Sequence, residues 1–144
     1  MGGGSMILLS VDPGDNVGYA LWDGTECYEN AIVTRSQFMD MLANSYFEGV
    51  DKVVAESFAL FRGRAQKQVG SKMPASLVLG ALELWCRQHG IWLTKQHPGI
   101  LSMAAKHANR ALPAGHCPDD LSAYLHGYYY LEAQNLLEPV KREV

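Results

Sequence analysis

Four carboxylates sit where this chain changes direction. Ile7-Leu8-Leu9-Ser10-Val11-Asp12 is an apolar run that closes on an acid just before Pro13-Gly14. Lys52-Val53-Val54-Ala55-Glu56 closes the same way, and Asp119-Asp120 open an apolar stretch after Pro118. Brought together, three or four carboxylates repel strongly unless a divalent cation neutralises them. Hard oxygen donors of this kind suit Mg²⁺ or Mn²⁺. Two such ions about 3.5–4 Å apart would clamp a phosphodiester, one activating water and the other supporting the leaving oxygen. Each acid also has a purely structural use: Asp12 begins a turn, and Asp119 or Asp120 caps a helix and meets its dipole. The four together, with a basic band between them, favour the cation.

That band is hidden in the totals. The formal net charge is −3, which argues against an anionic partner until it is divided along the chain. Residues 1–60 hold nine acids and two bases, and residues 113–144 hold five acids and two bases. Between them Arg62, Arg64, Lys67, Lys72, Arg87, Lys95, Lys106 and Arg110 face Glu83 alone. A dipolar chain of this kind can neutralise phosphates with its middle third while its acids do something else. In Phe58-Ala59-Leu60-Phe61-Arg62-Gly63-Arg64-Ala65-Gln66-Lys67 aromatic and basic residues are interleaved just beyond Glu56. Arg62, Arg64 and Lys67 there, and Lys72 just beyond, can track phosphates, and Phe58 or Phe61 can stack on an unpaired base or simply pack down. Lys95 and Lys106 are candidates for holding a second arm of such a substrate, or ordinary surface lysines.

The elements that must position these groups follow from periodicity. Ile7 to Asp12, Val17 to Trp22 and Thr25 to Val33 read as three strands, the last two joined by a hairpin at Asp23-Gly24. Ser36 is expected to cap a helix carrying Phe38, Met41, Leu42 and Tyr46. Lys52 to Glu56 is a fourth strand, and Phe58 to Lys72 a basic loop. Pro74 is expected to start a helix to about His89, with Leu77, Gly80, Ala81, Leu84 and Trp85 on its inner face. Ile91-Trp92-Leu93 reads as a fifth strand, Pro98 opens a helix to about His107, and a last helix runs from Asp119 to about Leu137. On it Tyr124, Tyr128, Tyr129, Tyr130 and His126 read as core, since positions 121, 124, 125, 128 and 131 make a stripe. The order predicts an α/β fold: a five-stranded mixed sheet, three strands antiparallel and two parallel, flanked by helices. Right-handed crossovers would then make the first and fourth strands parallel neighbours, with Asp12 and Glu56 side by side.

Length and composition set the outer bounds. Of the 144 residues, Met1-Gly2-Gly3-Gly4-Ser5 reads as a cloning linker and the rest, 6–144, as a single domain. A hydrophobic content of 48% against 19% charged excludes a disordered tail. No run approaches the roughly 18 apolar residues of a membrane span, and no signal-peptide pattern follows Met6, so a soluble, cytoplasmic protein is expected. Cys27, Cys86 and Cys117 lack CxxC pairing, which argues against a disulfide scaffold or a zinc ribbon. His116-Cys117 is at best half a zinc site, without a second soft pair at ligand spacing.

The stretch Ile7-Leu8-Leu9-Ser10-Val11-Asp12-Pro13-Gly14-Asp15-Asn16-Val17-Gly18-Tyr19-Ala20 resembles the opening of RuvC-type Holliday-junction resolvases, members of the ribonuclease H-like superfamily. Val53-Val54-Ala55-Glu56 is similar to that family's second acidic strand, and Ala75 to Leu82 to its following helix. His116-Cys117-Pro118-Asp119-Asp120 resembles its last motif, an Asp or His three residues before an Asp at a helix start. The resemblance covers nearly all of residues 6–137, and its compactness is more like the bacteriophage branch. It implies Asp12, Glu56 and Asp119 as metal-binding catalytic acids, with His116 as metal neighbour or water-activating base and Asp120 as a contributor. The doubled Asp119-Asp120 leaves a second register, Cys117 with Asp120, in which a thiol would be a poor partner for Mg²⁺.

The resemblance further implies a Mg²⁺-dependent endonuclease, with Mn²⁺ able to substitute and two ions per site, cutting four-way DNA junctions symmetrically to leave 5′-phosphate and 3′-hydroxyl ends. It implies a homodimer, in keeping with the two-fold symmetry of such a junction, with the 73–89 helix as a candidate interface. Less selective branched-DNA or flap cleavage, and a junction-binding scaffold without catalysis, are the competing functions. An actin-like or sugar-kinase ATPase shares an early Asp-x-Gly turn but needs two such domains, so no nucleotide cofactor is expected.

Overall fold

The computed structural model describes residues 5–57, 65–113 and 117–136, with the backbone alone for 65–72. Strands β1 (Ile7–Asp12), β2 (Asn16–Asp23) and β3 (Glu26–Thr34) form an antiparallel meander. Strands β4 (Lys52–Glu56) and β5 (Leu93–Gln96) extend the other side of β1 in parallel, giving the order β3-β2-β1-β4-β5. Helices α1 (Arg35–Ala43), α2 (Ala65–His89), α3 (Leu101–His107) and α4 (Asp119–Ala133) complete it, with a 3-10 turn over Pro98–Ile100. This is the expected five-stranded mixed sheet with flanking helices. Among the described residues no helix is long and apolar enough to cross a membrane.

Strand alternation divides the core in two. Leu9, Val11, Val53 and Ala55 pack with Phe38 of α1 and Val78, Leu82 and Trp85 of α2. On the opposite face Leu8, Ala20, Trp22 and Val54 pack with Ala104 and Ala105 of α3 and with Leu125, Tyr128 and Leu131 of α4. Burial on both faces explains why β1 and β4 read as almost unbroken apolar runs. It also fixes the even-numbered residues of both strands, Asp12 and Glu56 included, on the α4 face.

Two glycines let α4 lie unusually close to the sheet. A Cβ on Gly18 would stand 1.9 Å from the Asp119 carbonyl oxygen and 2.8 Å from the Asp120 nitrogen. A Cβ on Gly127 would stand 2.2 Å from Nε1 of Trp22 and 2.7 Å from Oγ of Ser10. Asn30 of β3 fastens the start of α4 by donating Nδ2–H bonds to the carbonyl of Tyr19 and to that of Asp120, both at 2.9 Å.

Four local expectations are corrected. The α1 cap is Thr34 rather than Ser36: its Oγ1 accepts the Gln37 N–H at 3.1 Å while Gln37 Oε1 accepts the Thr34 N–H at 2.9 Å, a reciprocal capping box. Helix α2 begins at Ala65, with Pro74 inside it, so residues 65–72 are helical rather than loop. Ala65-Gln66-Lys67-Gln68 are good helix formers, and a proline deletes one hydrogen bond without forbidding turns before it. The packed face of α2 is Ala75, Val78, Leu79, Leu82, Trp85 and Cys86. Leu77 and Leu84 are 50% and 58% exposed, because a helix apolar almost all round does not declare its phase. Strand β5 runs from Leu93 to Gln96 instead of from Ile91 to Leu93; Gly90, at φ +67°, reverses the chain after α2, and pairing resumes only at Leu93 opposite Val53.

Candidate functional site

Three parallel strands end on polar side chains that share one face. Asp12 closes β1, Glu56 closes β4, and Gln96 closes β5 as the register partner of Glu56. The first turn of α4 is set over them by the Gly18 contact. It brings Asp119 to the Asp12 carboxyl, where the two side chains share a hydrogen bond. Burial, followed by the negative charge of Glu56, pushes the Asp12 carboxyl up to about 8, and Asp119 adds to the rise. Against this works the Ser122 hydroxyl, which lies near Asp12 and also 3.3 Å from Oε2 of Glu56. Its single proton serves one of the two carboxylates at a time.

His126 and Gln96 complete the arrangement from behind. His126 is buried, and its Nε2 lies 2.9 Å from Oε2 of Glu56. The Gln96 amide nitrogen lies 3.0 Å from Nδ1 of His126 and 2.9 Å from its carbonyl oxygen. In the sequence pattern His126 falls with the tyrosines expected in the core, and neither Ser122 nor Gln96 stands out. A signal existed: residues 119, 122 and 126 recur at i, i+3 and i+7, one face of α4.

The remaining candidates fall as follows. Asp120 turns its Oδ1 to the Leu121 N–H at 3.0 Å, so of the doubled acids it is Asp119 that bears on Asp12. Cys117 is near the cluster, and its thiol is pushed up to about 11 by burial and then by Asp12, Glu56, Asp119 and Asp120. A thiol held protonated is a poor metal ligand. His116, Phe58, Phe61, Arg62 and Arg64 lie outside the described residues. Lys67 and Lys72 belong to the N-terminal part of α2. Lys95 is ion-paired with Glu83 of α2, on the sheet face opposite the carboxylates. Lys106 is exposed on α3.

The donors nearest Asp12 are carboxylate and hydroxyl oxygens, the chemistry a hard divalent cation requires, and the raised proton affinity of Asp12 marks a place short of positive charge. Among the described residues no three His, Cys, Asp or Glu side chains are already closed into a metal cage.

No family model and no curated protein matches the sequence. Solved structures do match. Thermus thermophilus RuvC, solved in complex with a Holliday junction substrate, aligns over 94% of this chain and 99% of its own at 15% identity, with a TM-score of 0.61. The yeast mitochondrial Holliday junction resolvase aligns over 92% of this chain and 80% of its own at 11% identity and a TM-score of 0.61. Fowlpox virus resolvase, solved with Holliday junction DNA, aligns over 88% of this chain and 99% of its own at 15% identity and a TM-score of 0.56. The architecture is thus the ribonuclease H-like fold of RuvC-type resolvases.

Proposed function

We propose that this chain is a single-domain, structure-selective DNA endonuclease that resolves four-way junctions, acting as a homodimer and making paired symmetric nicks with 5′-phosphate and 3′-hydroxyl ends. The observation that carries the reading is the convergence of Asp12, Glu56 and Asp119 on one face of a ribonuclease H-like sheet. Asp12, Glu56 and Asp119, with Asp120 adjoining and His116 just upstream, would hold Mg²⁺ or Mn²⁺. Such ions, two per site, would supply the positive charge that activates water and supports the leaving oxygen.

The chain's own part is preorganisation. Strands β1 and β4, paired as far as Val11 and Ala55, hold Asp12 and Glu56 as the next residues of each before any substrate arrives, and Gly18 lets the α4 backbone present Asp119 beside them. The excess negative charge keeps a phosphate away until it is neutralised, which couples cutting to cation loading. Lys67 and Lys72 on α2, Lys106 on α3, and Phe58, Phe61, Arg62 and Arg64 would contact phosphates and bases. Lys95 would have to exchange Glu83 for a phosphate. For the dimer, Met73, Leu77 and Leu84 leave an apolar stripe on the outer face of α2.

The test is cleavage of a synthetic four-way junction and of a linear duplex of the same sequence in Mg²⁺. Selective, paired nicking of the junction is expected. Equal cleavage of both would reduce the protein to a less selective branched-DNA or flap nuclease, and binding without cleavage would leave a scaffold.

A further inference from the structure

Among the described residues, Glu56 is approached from behind by the buried imidazole of His126. The hydrogen-bond chemistry there has one solution. The Gln96 side-chain atom 2.9 Å from the His126 carbonyl oxygen must be the amide nitrogen, because two carbonyl oxygens cannot bond to each other. The second hydrogen of that NH₂ faces Nδ1 of His126 at 3.0 Å, so Nδ1 accepts. The ring proton is therefore on Nε2, which donates to Oε2 of Glu56 at 2.9 Å. Ser122 Oγ converges on the same oxygen at 3.3 Å. The imidazole thus grips Glu56 by a hydrogen bond without cancelling its charge, and it grips one oxygen rather than both.

From this arrangement we infer that Gln96 and His126 form a buried positioning pair that locks Oε2 of Glu56 and reserves Oε1 as the oxygen it offers to a divalent cation. The pair rests on the reading of the acidic cluster as a metal-dependent nuclease site. Partners of this kind fix the orientation and basicity of a ligand, and losing one typically costs about 10–100-fold in metal affinity. Both members are placed by the fold. Gln96 reaches the α4 face because β5 pairs in parallel with β4 at Glu56, and His126 lies two turns along α4 from Asp119. Neither side chain belongs to the set that would touch the substrate, so the role is positioning rather than catalytic.

The experiment measures Mn²⁺ affinity of the full chain without DNA, by calorimetry or by paramagnetic resonance of the free ion, and the Mn²⁺ midpoint of junction cleavage. His126→Leu removes the donor. The expected result is a cation affinity weaker by about tenfold or more, with cleavage recovered at high Mn²⁺ and metal-free junction binding unchanged. An unchanged Mn²⁺ affinity in a folded His126→Leu protein overturns the inference. Should that variant fail to fold, His126→Gln and His126→Asn provide the same reading, both being polar. Gln reaches the Nε2 position and retains affinity; Asn falls short and loses it, and equal affinities overturn the inference. Glu56→Gln separates the two levels: if it too leaves Mn²⁺ binding intact, the metal-site reading itself has failed, whereas if it alone weakens binding only the positioning role has.

Discussion

Asp119 reaches Asp12 only because Gly18 has no side chain. The Asp119 carbonyl passes so close to Gly18 that any Cβ would overlap it at 1.9 Å, and Gly18 is the register partner of Asp12 across β1 and β2. One missing methyl group therefore joins a carboxylate near the start of the chain to one over a hundred residues later.

Gly18→Ala is accordingly expected to damage the site more than the fold. The clash is with backbone on both sides, so α4 must shift outward. Overpacking of this kind costs about 1–3 kcal/mol, which denaturant unfolding would read as a lowered midpoint. Cleavage should fall by about a hundredfold, since a displacement near 1 Å at a reacting centre is worth that much. Full activity would mean that α4 can be seated elsewhere without cost.

Asp12→Asn should abolish cutting while retaining junction binding. On the proposed reading this carboxylate is a central ligand, and losing several kcal/mol of metal-supplied stabilisation would amount to roughly a thousandfold or more in rate. The proposed phosphate contacts come from other residues, so gel-shift affinity in the absence of divalent cations should be unchanged or slightly higher. Undiminished cleavage would remove Asp12 from the site.

The same residue gives the metal-free protein a characteristic dependence on pH. Asp12 binds its proton with a pKa of about 8 in the folded chain against 3.8 ordinarily. Between those values the folded state holds a proton that the unfolded state has released, so stability from this group falls as pH rises and is fully lost above about 8. In EDTA, thermal unfolding should therefore occur at a lower temperature near pH 8.5 than near pH 5.5, with a shallower slope for Asp12→Asn. At the higher pH that variant should be the more stable protein, and added Mg²⁺ should narrow the difference. A slope identical in both proteins would place the titration elsewhere.

How much of this was legible in the sequence depends on whether a residue's role shows in its own neighbourhood. Asp12 and Glu56 stand out because each ends an apolar run, and the meander followed by crossover units dictates that β1 and β4 lie side by side. Asp119 stands out as an acid at a helix start. Gly18 does not, since a glycine inside a strand is ambiguous until one knows what packs over it. His126 is hidden for the opposite reason: it occupies a core-facing position and satisfies the core pattern, yet its partners, Gln96 and Glu56, come from two other elements. The phase of α2 was illegible because nearly every residue between Ala75 and Trp85 is apolar, so periodicity supplies a helix without a face.

That same ambiguity makes the outer face of α2 the place to test assembly. Met73, Leu77 and Leu84 follow one another at i, i+4 and i+11, close to whole turns, and expose 52%, 50% and 58% of their surface. Gly80, also exposed between Leu77 and Leu84, allows close approach of a second helix. Leu84→Glu places a charge on this stripe, where an interface would have to desolvate it. The packed face of α2, built from Val78, Leu82 and Trp85, is untouched, so thermal stability of the subunit should change little. Sedimentation should show self-association weakened by roughly tenfold or more. If the proposed dimer makes paired nicks, junction cleavage should shift to single, uncoordinated ones, because each subunit would retain its own carboxylates but lose the partner that positions it on the opposite strand. A variant that still sediments as the wild type does would remove α2 as the interface and direct attention to exposed apolar residues elsewhere, among them Trp92 beside β5 and Tyr28 and Ile32 on β3.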